Sequence, residues 1–367
     1  MIDEVLPRCR ARGLRVAFPV PFDDQHPKLP SAVRARGLSL CTKRLMVMEL
    51  CPGTSVTKIG KRLIADFAHT QGQGAREFEA QMKRRMMDDP AFLDELLARA
   101  VPTTAQLYAY RTYLTVRAGA YNACAATYNY TLGWLLQPLA YASASLPPNG
   151  PMLMDALYAA HAIEIFEVGA FNADPHAGNI LLDEASETLY LIDYGQLVRI
   201  SEADRVAFAY LIIGLNEADA EACAASFRQW GVDSTWKKGG VSLRPPPSWV
   251  ALTSAHINFG GAAGLAYGLR SFEFSSVAEM LGGGLDQIVE THRTPSVMML
   301  TLRCCWCLSG VGDAVGLFGA SPAKMLLPAA RAYLQRSGLP PRHPDAAPMR
   351  PVAAPALVRR LSSDNGR

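Results

Sequence analysis

Two aspartates and an asparagine carry the chemistry that can be read from this sequence. Asp174 and Asn179 stand five residues apart in the run Asn172-Ala173-Asp174-Pro175-His176-Ala177-Gly178-Asn179, and Asp193 follows inside Leu191-Ile192-Asp193-Tyr194-Gly195. Phosphoryl transfer asks little covalent chemistry of a protein. A loop aspartate orients the acceptor, an amide oxygen binds magnesium, and a second aspartate grips metal between the phosphates. Hard oxygen ligands from two converging loops suit magnesium, which keeps several waters and takes few protein ligands. Gly178 is expected to permit a backbone turn tight enough to aim Asn179 toward Asp193. Asp-Pro and Gly-Asn pairs are also ordinary turn formers, and an aspartate after a strand often caps the next turn. Taken jointly and in this order, the three residues read as a phosphate and magnesium site.

The elements that must position them occur in a fitting order. Residues 152–168 have a helical pattern that stops at Gly169, as a glycine cap does. The motif loop follows. Residues 180–182 and 189–192 then read as two short strands joined through residues 183–187, a hairpin with Asp193 just beyond its end. Upstream, residues 14–18 and 44–49 read as strands, the second ended by Pro52-Gly53. Helical spacing marks residues 56–67, 75–87, 91–100 and 105–139, then a Pro-rich breaker at 145–151, with 202–230 the most regular helical stretch. Residues 260–268 and 282–284 read as loop-like interruptions.

Composition narrows the function classes. The chain has 367 residues, half of them hydrophobic, with 36 basic and 33 acidic side chains for a net charge of +3. It can bury a large core, and so weak a charge balance gives no footing for nucleic acid. The eight cysteines are scattered without paired CxxC spacing, which reads as reduced thiols in an intracellular compartment. Cys304, Cys305 and Cys307 are expected as buried thiols of one helix rather than ligands of a metal. Arg303 and Asp313 interrupt the best apolar run, so no spanning helix is expected. The N-terminus, with Asp3 and Glu4 ahead of Arg8, Arg10 and Arg12, has no apolar signal-peptide core, and no targeting signal is visible. The tail at 339–367 is rich in proline without an apolar period and is expected to be disordered.

The motif blocks resemble those of a known family. Residues 169–182 and Leu191-Ile192-Asp193-Tyr194-Gly195-Gln196 are similar to the signature blocks of the UbiB family, the ABC1 or aarF-domain atypical kinases, which read roughly GFFHADPHPGN and then IDFG. The Asp-Pro-His order separates them from protein kinases with an HRD loop. Leu45 to Gly53 resembles the family's hinge, and 207–231 the helices after the metal motif. The resemblance implies an α+β, protein-kinase-like fold, mainly its helical C-lobe. It implies Mg-ATP as cofactor, Asp174 as the catalytic aspartate, Asn179 and Asp193 as magnesium and nucleotide ligands, and Glu49 and Leu50 as backbone contacts to adenine. It also implies a transferase or ATPase linked to ubiquinone or other prenyl-lipid metabolism in a mitochondrion or plastid. Asn172 stands where the family has histidine, Ala170 where it has an aromatic and Ala177 where it has proline.

Residues 1–53 are expected as a remnant of the N-lobe and hinge, and 54–338 as the C-lobe, enlarged by a helical insertion at about 70–150. The strand lysine and phosphate loop of a kinase-like N-lobe are not found, since Lys28 falls after the place where that lysine belongs. Either the sequence is incomplete or the protein has lost that lobe. A non-catalytic pseudokinase that binds a lipid-biosynthesis complex is therefore a second reading, and an aminoglycoside- or choline-kinase-like phosphotransferase a third. The insertion carries Tyr108, Tyr110, Tyr113, Tyr121, Tyr128, Tyr130 and Trp134. Such residues on the 105–139 helices suit either ordinary helix packing or contact with a prenyl lipid or membrane surface.

Overall fold

The computed structural model describes residues 1–98, 102–144, 146–238, 241–244 and 247–348. Helix α1 (Val5–Ala11) buries Val5, Leu6 and Cys9 and leads into β1 (Val16–Ala17). The single turn α2 (Ser31–Arg34) buries nothing. Residues 44–49, expected as a strand, form an isolated bridge between Pro21 and Met48. Leu45 and Met46 are 58% and 62% exposed. Residues 47–49 are half-buried and bond to the 20–22 segment, but Leu45 and Met46 stay largely in solvent, so the pairing does not extend into a strand.

Gly53, at φ 109°, turns the chain into β2 (Thr54–Ser55), and a Cβ there would lie 2.6 Å from the carbonyl carbon and oxygen of Leu182. Gly53→Ala therefore combines a left-handed strain with a backbone collision, and about 3 kcal/mol of stability should be lost. Urea unfolding checks this as a lower midpoint at unchanged slope. A loss below about 1 kcal/mol would show that the turn relaxes instead.

Three helices follow, α3 (Val56–Thr70), α4 (Ala75–Asp88) and α5 (Pro90–Ala98), close to their expected bounds. The long α6 (Thr104–Thr131) starts at a capping box made by Thr103 and Gln106. It ends eight residues earlier than its periodicity predicts. Asn129 exchanges side-chain hydrogen bonds with the backbone of Leu139 (2.9 and 2.7 Å), and Asn122 with that of Ala142 (2.8 and 2.7 Å), so residues 132–144 run back along the helix. Ala125 is the buried residue of α6. Near its start, Tyr108 donates to Glu187 at 2.5 Å and Arg111 pairs with the same carboxylate.

Asn149 caps α7 (Gly150–Ala162), which continues through a π-helical turn (Ile163–Val168) to Gly169 at φ 75°, the expected glycine cap. Next come β3 (Ala170–Asn172), β4 (Ile180–Asp183), β5 (Thr188–Leu191) and β6 (Leu197–Arg199). Strands β4 and β5 form the expected hairpin, with Ile180 opposite Leu191. β2 adds antiparallel to β4 and β1 parallel to β5, giving the order β1-β5-β4-β2, while β3 pairs with β6. The first 53 residues thus contribute an edge strand to the sheet of the helical lobe and, among the described residues, no sheet of their own.

The helical remainder begins with α8 (Glu202–Asn216) and α9 (Ala220–Trp230), separated where Ala218 takes φ 52° and Asp219 caps the second helix. A small sheet of β7 (Asp233–Lys238), β8 (Val241–Leu243) and β9 (Val289–Arg293) flanks α10 (Ser248–Phe259), α11 (Gly261–Phe272) and the turn α12 (Val277–Glu279). The glycines at 260–268 were expected to interrupt. Instead they continue as α11 after one break at Gly261, because Gly264 and Gly268 let α11 approach the backbone of His256 and the side chain of Ile257. Gly282 and Gly283 do break the helix that contains them.

α13 (Ser296–Ala314) and α14 (Pro322–Arg336) close the lobe. By length and composition α13 could cross a membrane, but Cys304, Cys305, Leu308 and Val311 are buried in the protein core. Phe166 of the π-turn stacks on Phe208 of α8 and packs against Tyr333 of α14, so the segment leading into the motif loop is anchored at the center of that core. Residues 339–348, expected to begin a disordered tail, fold back on the lobe. Arg342 pairs with Asp219 at 2.5 Å, and His343, 3% exposed, reaches Gln229 at 2.8 Å. The sequence shows proline but not these partners. Residues 349–367 lie outside the described residues.

Candidate functional site

The motif loop spans the gap between β3 and β4, and its shape is set by its own hydrogen bonds. The Asn172 Oδ1 accepts from the Asp174 amide at 3.0 Å, the Asp174 carbonyl from His176 N at 2.8 Å, and the His176 carbonyl from Asn179 N at 2.9 Å. The His176 Nδ1 accepts from the Gly178 amide at 3.1 Å, so this histidine stabilizes the loop. A Cβ on Gly178 would lie 2.8 Å from the His176 ring. Glycine is needed there for space rather than for the unusual turn expected from sequence. At the far side of the loop, the Ala177 carbonyl accepts from Thr57 N at 3.1 Å and ties the loop to the start of α3.

Two of the three predicted residues meet, and the third, Asp174, is tied to them through Asn172. The Asn179 Nδ2 donates to the Asp193 Oδ2 at 3.2 Å, while the Asp193 Oδ1 accepts from the Gly195 amide at 2.8 Å. The Asn172 Nδ2 donates to the Asp193 carbonyl at 2.6 Å, so a single side chain holds both the loop aspartate's backbone and that of the hairpin aspartate. This asparagine, a departure from the family's histidine, is the bracket between the two halves of the site. Asp193 is exposed and Asp174 and Asn179 are half-buried.

Behind the bracket lies a residue that sequence reasoning passed over. Glu164 is fully buried. One carboxylate oxygen accepts from the Tyr194 hydroxyl at 2.5 Å, and the other from the Asn172 amide at 3.2 Å. The Nε2 of buried His161 is 3.9 Å away. Burial, reinforced by this carboxylate, pushes the Tyr194 phenol well above its ordinary value, so it stays a hydrogen-bond donor. The signal was an acidic residue three positions after a histidine inside an apolar helical run.

A second missed pair comes from α13. Arg303 and Cys307 are one helical turn apart, and both reach Asp174. The guanidinium lies 2.7 Å from Oδ2, and the thiol 3.6 Å from Oδ1. Arg303 also donates to the Gln196 side chain at 2.7 Å. Cys307 was expected as a buried thiol beside Cys304 and Cys305. It faces the site instead, and burial together with the Asp174 carboxylate pushes it up to about 11, leaving it protonated and donating.

The predicted adenine contacts are not gathered with the three. The Glu49 carboxylate is taken by Lys28 and approached by the His26 Nε2 at 3.7 Å, and the Lys28 ammonium holds it below the usual carboxylate range. Leu50 is 98% exposed. Among the described residues neither makes a hydrogen bond or ion pair with Asp174, Asn179 or Asp193. Their neighbors Met46 and Met48 line a small apolar cavity of about 210 Å³ with Phe18, Ile192 and Tyr194, directly beside Asp193.

As a donor set the site fits magnesium. Asp193 has further lone pairs beyond the two hydrogen bonds it accepts, and Asn179, which gives its amide N–H to Asp193, keeps its Oδ1. Two oxygen ligands and room for water and phosphate oxygens are what this ion takes from kinase-like proteins. Among the described residues no group of three His, Cys, Asp or Glu side chains could hold a metal.

A helical lobe, a motif loop after a capped helix and an aspartate beyond a hairpin are consistent with a kinase-like domain. Residues 129–227 match the ABC1 atypical kinase-like domain, the family whose motif blocks the sequence resembles. Asp174, Asn179, Asp193, Glu164 and Asn172 fall within the match. Glu49, Leu50, Arg303 and Cys307 fall outside it. No curated protein matches the chain.

Proposed function

We propose that the chain binds Mg-ATP at Asn179 and Asp193 and acts as an ATPase or small-molecule phosphotransferase with Asp174 orienting the nucleophile. The observation that carries this reading is the meeting of Asn179 and Asp193 at 3.2 Å, with Asp174 on the same loop as Asn179. Magnesium would draw its protein oxygens from these two residues and supply charge neutralization between the phosphates. The chain's own groups do the rest. Asn172 fixes the spacing of the two aspartates, and Asp174 is placed to accept a proton from the attacking hydroxyl or water. The apolar cavity at Met46, Met48 and Ile192 suits an adenine ring. The family resemblance puts the reaction in ubiquinone or other prenyl-lipid metabolism, in a mitochondrion or plastid. The exposed Tyr110, Tyr113, Tyr130 and Trp134 of α6 and the chain after it would meet the lipid.

A second reading, a non-catalytic lobe that binds partner proteins, is favored by one observation: both oxygens of Asp174 are engaged by Arg303 and Cys307. Thermal-shift titration separates the two. Ligand at 100 times its Kd stabilizes the native state by about 2.7 kcal/mol. A melting point that rises with millimolar Mg-ATP, and falls back when EDTA removes the metal, is the expected result. An unchanged melting point at these concentrations sinks the nucleotide reading and leaves the scaffold.

A further inference from the structure

Between α3, α4 and the end of α13 lies a groove of about 430 Å³ that shares no residue with the site at Asp174. Phe67, Phe78, Met82, Met86 and Phe318 give it apolar walls, and Asp313 is among the residues that line it. This is a poor place for a lone carboxylate. Asp313 lies in the last turn of α13, where the unbonded helix carbonyls already carry negative potential. Burial among thioether, aromatic and aliphatic groups pushes its carboxyl up to about 7. No ion pair or side-chain hydrogen bond compensates it among the described residues. The other charged groups lining the groove are Glu79 and Lys83, both exposed on α4; none comes from α3 or α5, and from the core side Asp313 is felt by the buried Tyr158 phenol of α7, which burial and in part this carboxylate push well above its ordinary value.

We propose that this groove binds an amphipathic amine, an apolar body carrying one protonated nitrogen, with the nitrogen on Asp313 and the body between the methionines and phenylalanines. The charge complement is specific. An ammonium gives Asp313 the charge-assisted hydrogen bond that the protein withholds, and it relieves both the burial and the helix-end penalty. A neutral alcohol of the same length gains only the apolar contact, and a carboxylate adds a second negative charge. Methionines on α4 adapt to bodies of different shape because their side chains are unbranched and flexible. This site is independent of the nucleotide reading and stands or falls separately.

The test uses the full chain with ¹³C-methyl methionine, titrated at pH 8 with n-octylamine, n-octanol and n-octanoate. The amine should shift the methyl signals of Met82 and Met86 and bind about tenfold or more tightly than the alcohol, with octanoate weakest. Lowering the pH to 6 protonates Asp313, so the amine should weaken while the alcohol does not. Asp313→Asn should bring the amine down to the alcohol's affinity. That variant should melt no lower than wild type at pH 8, because a raised carboxyl pKa costs stability above about 4 and costs it in full above 7. Met86→Trp, which fills the groove, should abolish binding of all three. Equal binding of amine and alcohol, an amine preference that survives Asp313→Asn, or methyl signals that do not move overturn the proposal. So does binding that survives Met86→Trp.

Discussion

Asp193→Asn is expected to lower magnesium-dependent ATP turnover by about a hundredfold or more while leaving the fold intact. The carboxylate is the negative charge that Asn179 faces, and a metal between phosphates supplies several kcal/mol of charge stabilization, at about 1.4 kcal/mol for each factor of ten. The neutral amide retains an oxygen that can accept from the Gly195 amide, now 2.8 Å from the Asp193 Oδ1. It loses the charge and turns an N–H toward the Asn179 amide, which already donates to this position at 3.2 Å. Two donors then face each other where a cation should bind. Asp193 is exposed, so its replacement should change stability by no more than about 0.5 kcal/mol. Phosphate release measured beside a melting curve checks both halves. Turnover equal to wild type with a normal melting point would remove Asp193 from any metal role.

What could be read ahead of the structure was what is local in the chain. The hairpin at β4 and β5 is two short apolar runs with a short connection, and it formed with Ile180 opposite Leu191. The glycine stop at Gly169 needed one residue in the left-handed region, and it is there at φ 75°. The approach of Asn179 to Asp193 follows from these two, because the loop and the hairpin fix both ends of the path. Contacts made across the fold were hidden. Nothing local tells that Arg303 and Cys307 would turn to Asp174, since a helix with Cys304 and Cys305 in the core carries its next face wherever packing allows. The segment at 44–49 failed in the opposite way. Its apolar run, Leu45 to Met48, is a strand's, but a strand needs a layer to bury against, and Leu45 and Met46 stay mostly exposed, so the pairing stops at one bridge between Pro21 and Met48.

Glu164→Ala is expected to destabilize the protein by about 3–5 kcal/mol, the range for removing one partner from a buried charged network. The truncation strands the Tyr194 hydroxyl and the Asn172 amide, each a buried donor whose lost partner costs about 1–3 kcal/mol, and opens a void between α7 and β3. The damage is directional. Asn172 depends on Glu164 through its backbone amide, at 3.2 Å, and its own side chain holds the Asp193 carbonyl and the Asp174 amide. Loosening it should therefore separate the two aspartates even in the fraction that stays folded, so Mg-ATP affinity should fall together with stability. Tyr194→Phe distinguishes this relay from a general loss of packing. It removes one hydrogen bond to a charged acceptor, worth about 1.5–3 kcal/mol, but leaves the Glu164–Asn172 link in place. It should lower the urea midpoint and keep nucleotide affinity near that of wild type. Equal losses of affinity in both variants would make Glu164 a packing residue, and a Glu164→Ala midpoint within about 1 kcal/mol of wild type would mean that water enters and replaces it.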